Sequence, residues 1–529
     1  MRAPFAVACA FLSACGGGIA GPATPLPTNG FGPEDRVVIG DFSRVNAIAS
    51  ANDRVYVIYP SAVAIWHPLE QRWDAPRSPV HNHVLRGVSS AITDPVDRSL
   101  WMAAGGLWVH YDPFSNRWDD GELYPPAQSV ALDAATPGSG AYFSSGGAWQ
   151  VVPRTGGVAT PSQPPRDPRT SSTVADAMRD LPQLRALAPH VATAPGMQQG
   201  TLTAAALDPQ RQGWFLGTST RGLVYFDRLA ADARPITLGL PGGVIGAVAI
   251  TENGVNVATS DDGVRLAAVT KLPIDLGVSS PLVQPSVTGP GFRVVWRILA
   301  ASRGTWLGTD IGALRVSGDG YGYTRYSVST GLPDDQVTAL AEYRGQIVAG
   351  TRRGLAVSRG DSGFHALVPT FTDPVYSLLV SGDTLYAGTL RGLFAWLPGN
   401  QELRMPEGFR LIAPAAVTIL DMGWVADTLV AMTPDRLLWR DPASGGWNEG
   451  AELATQLGRL SAFAATARGA WVGGSRGAAF VRPGSPPLWI LPVPSQLPAE
   501  VSTNGIAVDD RFLWIGTRAG LVRFALTGR

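Results

Sequence analysis

Lysine is all but missing: of 42 basic side chains in 529 residues, only Lys271 is not an arginine. A Schiff-base or P-loop lysine would therefore have to be Lys271. Its context, Val269-Thr270-Lys271-Leu272-Pro273, has no glycine-rich phosphate loop, so P-loop chemistry is excluded. The arginine bias reads as the mark of a G+C-rich genome rather than of a mechanism. Excess charge is missing too, since 42 acidic side chains balance the basic ones. That excludes a nucleic-acid binder, which needs a basic surplus to neutralise phosphates. Histidine is scarce, six in the whole chain, and forms no Ser-His-Asp pattern. Charged residues make up only 16% against 45% hydrophobic, which excludes a disordered chain. No apolar run approaches the roughly 20 residues that span a bilayer.

What is present begins with an address. Arg2 precedes the apolar run 3–12, followed by Leu12-Ser13-Ala14-Cys15-Gly16, which reads as a secretory signal peptide. Leu12-Ser13-Ala14-Cys15 resembles the lipobox of bacterial lipoproteins, which makes Cys15 the lipidated first residue of the mature chain. The plainer alternative is ordinary cleavage with Cys15 incidental. The only other cysteine, Cys9, lies in the removed segment, so the mature chain has no disulfide. Residues 16–33, rich in Gly and Pro, read as a tether. The expected location is extracytoplasmic, as a membrane-anchored lipoprotein of the periplasm or outer membrane, with the acyl chains as the membrane contact.

Gly 62 and Pro 43 signal frequent turns, and the remainder is self-similar. One unit recurs as Trp214-Phe215-Leu216-Gly217-Thr218, Trp306-Leu307-Gly308-Thr309, Val348-Ala349-Gly350-Thr351, Tyr386-Ala387-Gly388-Thr389, Trp471-Val472-Gly473-Gly474 and Trp514-Ile515-Gly516-Thr517, mostly closing on Gly-Leu. Short apolar strands flank each copy, separated by glycine turns. Four strands in about 40 residues, repeated, is the pattern of a β-propeller blade. Innermost strands are expected near Val45, Leu85, Ser129, Thr203, Ile245, Val295, Val337, Val375, Ala416, Leu460 and Val501.

The fold class is thus all-β: about eleven blades, more than the four to eight of one ring, hence two β-propellers with a short helical insertion. The expected division is 43–290 and 291–529, with the insertion at about 161–200. The last blade stops short of a fourth strand, and residues 34–42 could supply it, removing an open sheet edge.

These repeats resemble the two-component-regulator propeller repeats of periplasmic sensor domains. The matching pieces are the W-x-G-T-x-x-G-L hairpin and the connector Thr330-Gly331-Leu332-Pro333-Asp334-Asp335-Gln336-Val337. The resemblance implies outward-facing propellers that bind ligands, often glycan fragments, and signal through a transmembrane helix to a kinase. This chain has a lipid anchor in place of helix and kinase, so direct signalling is not expected.

Catalytic and metal motifs are weak. Gly473-Gly474-Ser475-Arg476-Gly477 matches G-x-S-x-G, but Ser475 sits in the repeat's turn without the strand-turn-helix context of a nucleophile elbow. His81 and His83 could face one metal, yet no third ligand accompanies them. Asp261-Asp262, Asp334-Asp335 and Asp509-Asp510 read as solvated turns. No catalytic residue, metal or cofactor is assigned. The second-strand residues Trp101, Trp214, Trp306, Trp471 and Trp514 read as inter-blade core rather than sugar platforms. Arg221, Arg353, Arg391, Arg476 and Arg518 share the hairpin turn of different blades. They are either candidate ligands for a carboxylate or phosphate or plain solvated turn residues.

The reading is a non-enzymatic, lipid-anchored binding protein, recognising an anionic or glycan ligand or an envelope protein at a propeller face. An assembly scaffold is the alternative, followed by a propeller enzyme such as a lyase or a quinone-dependent dehydrogenase. Cys15→Ala is expected to abolish palmitate labelling of the chain and release it from the membrane fraction; an equally labelled variant would refute the anchor.

Overall fold

The computed structural model describes residues 31, 36–40, 42–79, 82–182, 184, 201–208, 210, 213–219, 221–236, 238–240, 242–252, 254–260, 267–272, 280–283, 291–317, 322–412, 417–491 and 497–526. Cys15, His81, the His83 side chain and Asp261-Asp262 lie outside them.

One blade shows why the repeat folds as it does. Strands Val337–Tyr343, Gln346–Thr351, Gly354–Ser358 and Phe364–Ala366 pair antiparallel in chain order. The first turn, Arg344-Gly345, has positive φ at both residues (51° and 74°), the geometry that matches the twist of a two-residue hairpin. The second turn is built by a buried threonine. Thr351 Oγ1 donates to the Gly354 carbonyl at 3.0 Å and accepts from the Arg353 amide at 3.1 Å. Thr309, Thr389 and Thr517 repeat both bonds with their own glycine and turn amide. Gly354 has φ +107° and its α-carbon faces the Phe371 carbonyl, so no side chain fits there.

Eleven such sheets form, nine of them of four or five strands. In chain order the blades cover 47–73, 90–127, 129–170, 202–236, 244–283, 295–326, 337–366, 375–396, 421–452, 460–490 and 501–525. The eleventh gains its outermost strand from Arg36–Ile39, paired antiparallel with Gly520–Ala525. The second innermost strand starts at Ser90 rather than near Leu85, because Asn82–Gly87 coils into a 3₁₀ helix.

The glycine of each W-x-G-T unit decides which blades are neighbours. A Cβ on Gly350 would lie 2.7 Å from Val375 of the next blade, and one on Gly473 would lie 2.6 Å from Val501. The same contact joins Gly516 of blade 11 to Ile245 of blade 5 at 2.5 Å. The innermost strand of blade 5 accordingly packs between those of blades 11 and 6. Blades 5 to 11 are therefore one seven-bladed ring, and the expected division near residue 290 moves to the crossing at about 237–243.

Blades 1 to 4 form a smaller ring, closed where Gly217 meets Val45, 2.7 Å from its would-be Cβ. Strand Pro168–Thr170 adds to the inner edge of blade 3, and the helix Val174–Asp180 packs on blade 4. Thr173 caps that helix, and Trp214 Nε1 donates to Asp180 at 2.8 Å. The small ring is thus inserted in the large one, between its closing strand and its first blade. Both crossings meet at Phe42, whose ring centroid lies 4.6 Å from that of fully buried Tyr59. There the Leu240 amide donates to the Gly40 carbonyl at 3.2 Å. Arg36 ties the closing strand to the end of blade 1 by donating to the Pro79 carbonyl at 2.9 Å, and burial pushes its guanidinium pKa down to about 10.

Gly516→Ala is expected to cost about 1–3 kcal/mol by overpacking against Ile245. In an Ile245→Ala background the cost should shrink, read as coupling in a urea-denaturation double-mutant cycle. Strict additivity would refute the adjacency of blades 11 and 5.

Candidate functional site

Five innermost strands of the seven-bladed ring share an irregularity, while that of blade 9 pairs in unbroken register. Their register slips by one residue between Ile245 and Ala247, Val295 and Arg297, Val337 and Ala339, Val375 and Ser377, and Leu460 and Ala462. The first residue of each pair is the one held against the neighbouring blade. The skipped residue is re-aimed, as bulges do. Gly246, Trp296, Thr338, Tyr376 and Ser461 are those residues, and all five line one central funnel of about 630 Å³. Blade 11 bulges further: its register jumps from Val501 to Ile506, sending Ser502, Thr503 and Asn504 into the funnel. Asn504 holds a φ of 55°, and its Nδ2 donates to the Trp296 carbonyl at 2.7 Å. The scaffold residue before each bulge is always aliphatic, whereas the re-aimed residue is Gly, Trp, Thr, Tyr or Ser. Strain and variety gathered in one concave place are the signature of a site rather than of packing.

The funnel is basic. Arg352, Arg459 and Arg518 line it, and Glu500 is its one acidic residue among those described, 3.9 Å from Arg518. Arg352 and Arg459 are exposed, and no side-chain hydrogen bond or ion pair engages either with the described residues. In the ring's channel, Arg297 of blade 6 reaches three blades across to Asp421 of blade 9, with Nη2 3.0 and 3.2 Å from the two carboxylate oxygens. Asp421 is almost fully buried, so this pair crosses the channel from wall to wall. Thr338 Oγ1 donates to the Val375 carbonyl and joins adjacent blades.

The five arginines singled out in the sequence separate. In the turn T-x-y-G, position x lines the funnel in blades 7 and 11, as Ser475 does at the equivalent place in blade 10, and the arginines at position y reach the connector entering the same blade. Arg352 and Arg518 occupy x. Arg353 and Arg391 occupy y and pair with Asp334 and Asp373 of their own connectors at 3.6 and 2.6 Å. Arg476 also occupies y and donates to the carbonyls of Ala454 and Thr455 at 3.0 and 2.8 Å. Arg221 stands in the small ring, its amide donating to Thr218 Oγ1 at 2.8 Å. So Arg518 alone of the five lines the funnel, and Arg352 and Arg459 were missed. For Arg352 the available signal was its place directly after the turn threonine; Arg459, one residue before Leu460 in the connector entering blade 10, carried no repeat signal.

Ser475 lines the funnel from a plain hairpin between Gly469–Gly474 and Gly477–Val481, with no helix following. All five second-strand tryptophans are buried. No group of three or more metal-ligating side chains occurs among the described residues. No described helix is long and apolar enough to cross a membrane.

No protein-family model matches the sequence, and no curated protein matches it. Among solved structures, the chain is similar to the extracellular domain of the hybrid two-component system BT4673 from B. thetaiotaomicron. The identity is 12% over 91% of this chain and 70% of that one, with a TM-score of 0.39. It is also similar to PorZ, a surface component of the type-IX secretion system of Porphyromonas gingivalis, at 10% identity over 91% and 69%, TM-score 0.33. YCF48 bound to D1 peptide is similar at 16% identity over 54% and 93%, TM-score 0.40. At identities and TM-scores this low, none of the three carries an argument about this chain.

Arg297→Leu is expected to destabilise the protein by about 3 kcal/mol, since it strands a buried carboxylate. Adding Asp421→Asn should recover much of that loss in chemical denaturation; a double variant as unstable as the sum of the singles would show that the pair does not bridge the channel.

Proposed function

We propose that this chain is a lipid-anchored, extracytoplasmic binding protein without catalytic activity, taking a small anionic solute in the funnel of its seven-bladed ring. The observation that carries the reading is the set of re-aimed residues at the inner-strand bulges, facing one cavity beneath Arg352, Arg459 and Arg518. A volume of about 630 Å³ suits a small ligand, for which pockets of roughly 300–1,000 Å³ are usual. The non-enzymatic part is supported by the described lining: among those residues Glu500 is the one carboxylate and stands beside Arg518, and none is histidine, cysteine or lysine. The address is supported by Arg2, the apolar run after it and Cys15. The propeller alone supports no choice of function, because this fold hosts many.

Ser461→Trp tests the funnel whatever the solute. Trp296 occupies the equivalent bulge of blade 6, so an indole is compatible with the backbone there while filling the cavity. In a thermal-shift screen of the full chain in detergent against small anions and neutral solutes, an anion should raise Tm with concentration. The Ser461→Trp variant should not respond. No shift with any anion, or a shift equal in the variant, would overturn the reading.

A further inference from the structure

The funnel has two unlike walls. On one, Arg352 of blade 7 stands between Trp296 of blade 6 and Tyr376 of blade 8, the two aromatic residues among its described lining. Both are half-buried, in contrast to the fully buried indoles of Trp101, Trp471 and Trp514. The opposite wall, from blades 10, 11 and 5, offers Arg459 and the hydroxyls of Ser461, Ser475, Ser502 and Ser260. Ser502 is 8% exposed, and its buried Oγ has no hydrogen-bond partner among the described residues. A buried hydroxyl without a partner is costly and marks a place where a ligand or water completes the bond.

We infer that the funnel binds a ring-bearing carboxylate, its ring against Trp296 and Tyr376 and its acid group on an unpaired arginine. The inference rests on the binding reading above and deepens it. Each wall supplies part of the chemistry. Aromatic faces hold a planar aromatic ring by stacking, or the apolar C–H face of a sugar ring by packing. A guanidinium without an acid partner offers a planar fork that a carboxylate meets with two hydrogen bonds. The serine wall and the Asn504 bulge offer polar partners to whatever the ring carries. Arg353, Arg391 and Arg476 take no part, because they reach toward their connectors and do not line the funnel.

A ring-bearing carboxylate comes from two sources, acidic sugars and aromatic acids, so the test uses one of each with its methyl ester. Digalacturonate, 4-hydroxybenzoate and both esters are titrated calorimetrically into the full chain in detergent. At least one acid should bind, its ester about tenfold or more weaker, for want of the charge-assisted bonds. Arg352→Gln or Arg459→Gln should weaken that acid by about tenfold or more, and Trp296→Leu by roughly three- to tenfold. Arg353→Gln, a connector arginine of equal charge, should leave it within about twofold. Which acid binds names the source. No binding of either acid, equal binding of the ester, or indifference to both arginine substitutions or to Trp296→Leu would overturn the inference. The binding reading would survive if another anion still shifted Tm in the parent and not in Ser461→Trp. It would fall with the inference if none did.

Discussion

Everything in this structure hangs on the approach of one blade's glycine to the next blade's first inner-strand aliphatic residue. At Gly350 and Val375, at Gly473 and Val501, and at Gly516 and Ile245, the missing Cβ is what allows two twisted sheets to pack so closely. The contact also chooses neighbours. Gly516 selects Ile245 and closes a ring of seven; Gly217 selects Val45 and closes a ring of four. The four-bladed unit therefore sits as an excursion between strand Arg36–Ile39 and the strand that starts at Val244.

The same contact prepares the funnel. Pinning Val337 or Val375 against a glycine, and Val295 in one core with Ala258, goes with one extra residue in the inner strand, which is taken up as a bulge. Trp296, Thr338 and Tyr376 are thereby turned inward while the pinned residues carry the packing. Structure and recognition are divided between adjacent positions, so the lining can vary without disturbing the blade. The turn threonines divide labour in a similar way. Thr351 fixes the hairpin with two bonds, and of the two residues it frees, Arg352 faces the cavity and Arg353 ties down the connector. Charge that looks equivalent in sequence thus serves recognition in one case and blade integrity in the other.

The fold was readable because its causes are local. Alternating strands, glycine turns and buried tryptophans repeat at blade length, and eleven repeats appear as eleven sheets. Two inner strands start later than expected: Ser90 follows a 3₁₀ turn over Asn82–Gly87 that apolar periodicity does not reveal, and blade 9 starts at Asp421 rather than near Ala416, which lies outside the described residues. The arginines were readable only as a class. Arg518 and Arg391 differ by one place in a four-residue turn, yet Arg518 lines the cavity and Arg391 pairs with Asp373 of its connector.

The sequence by itself determined an all-β chain of about eleven blades with little lysine, cysteine or histidine chemistry to offer, because composition and strand period depend on near neighbours alone. Only the tertiary structure decided which blades adjoin, that Arg297 meets Asp421 across 124 positions, and which arginines face the cavity. Those outcomes depend on closure of a ring, where the last blade meets the first. No local pattern encodes that distance.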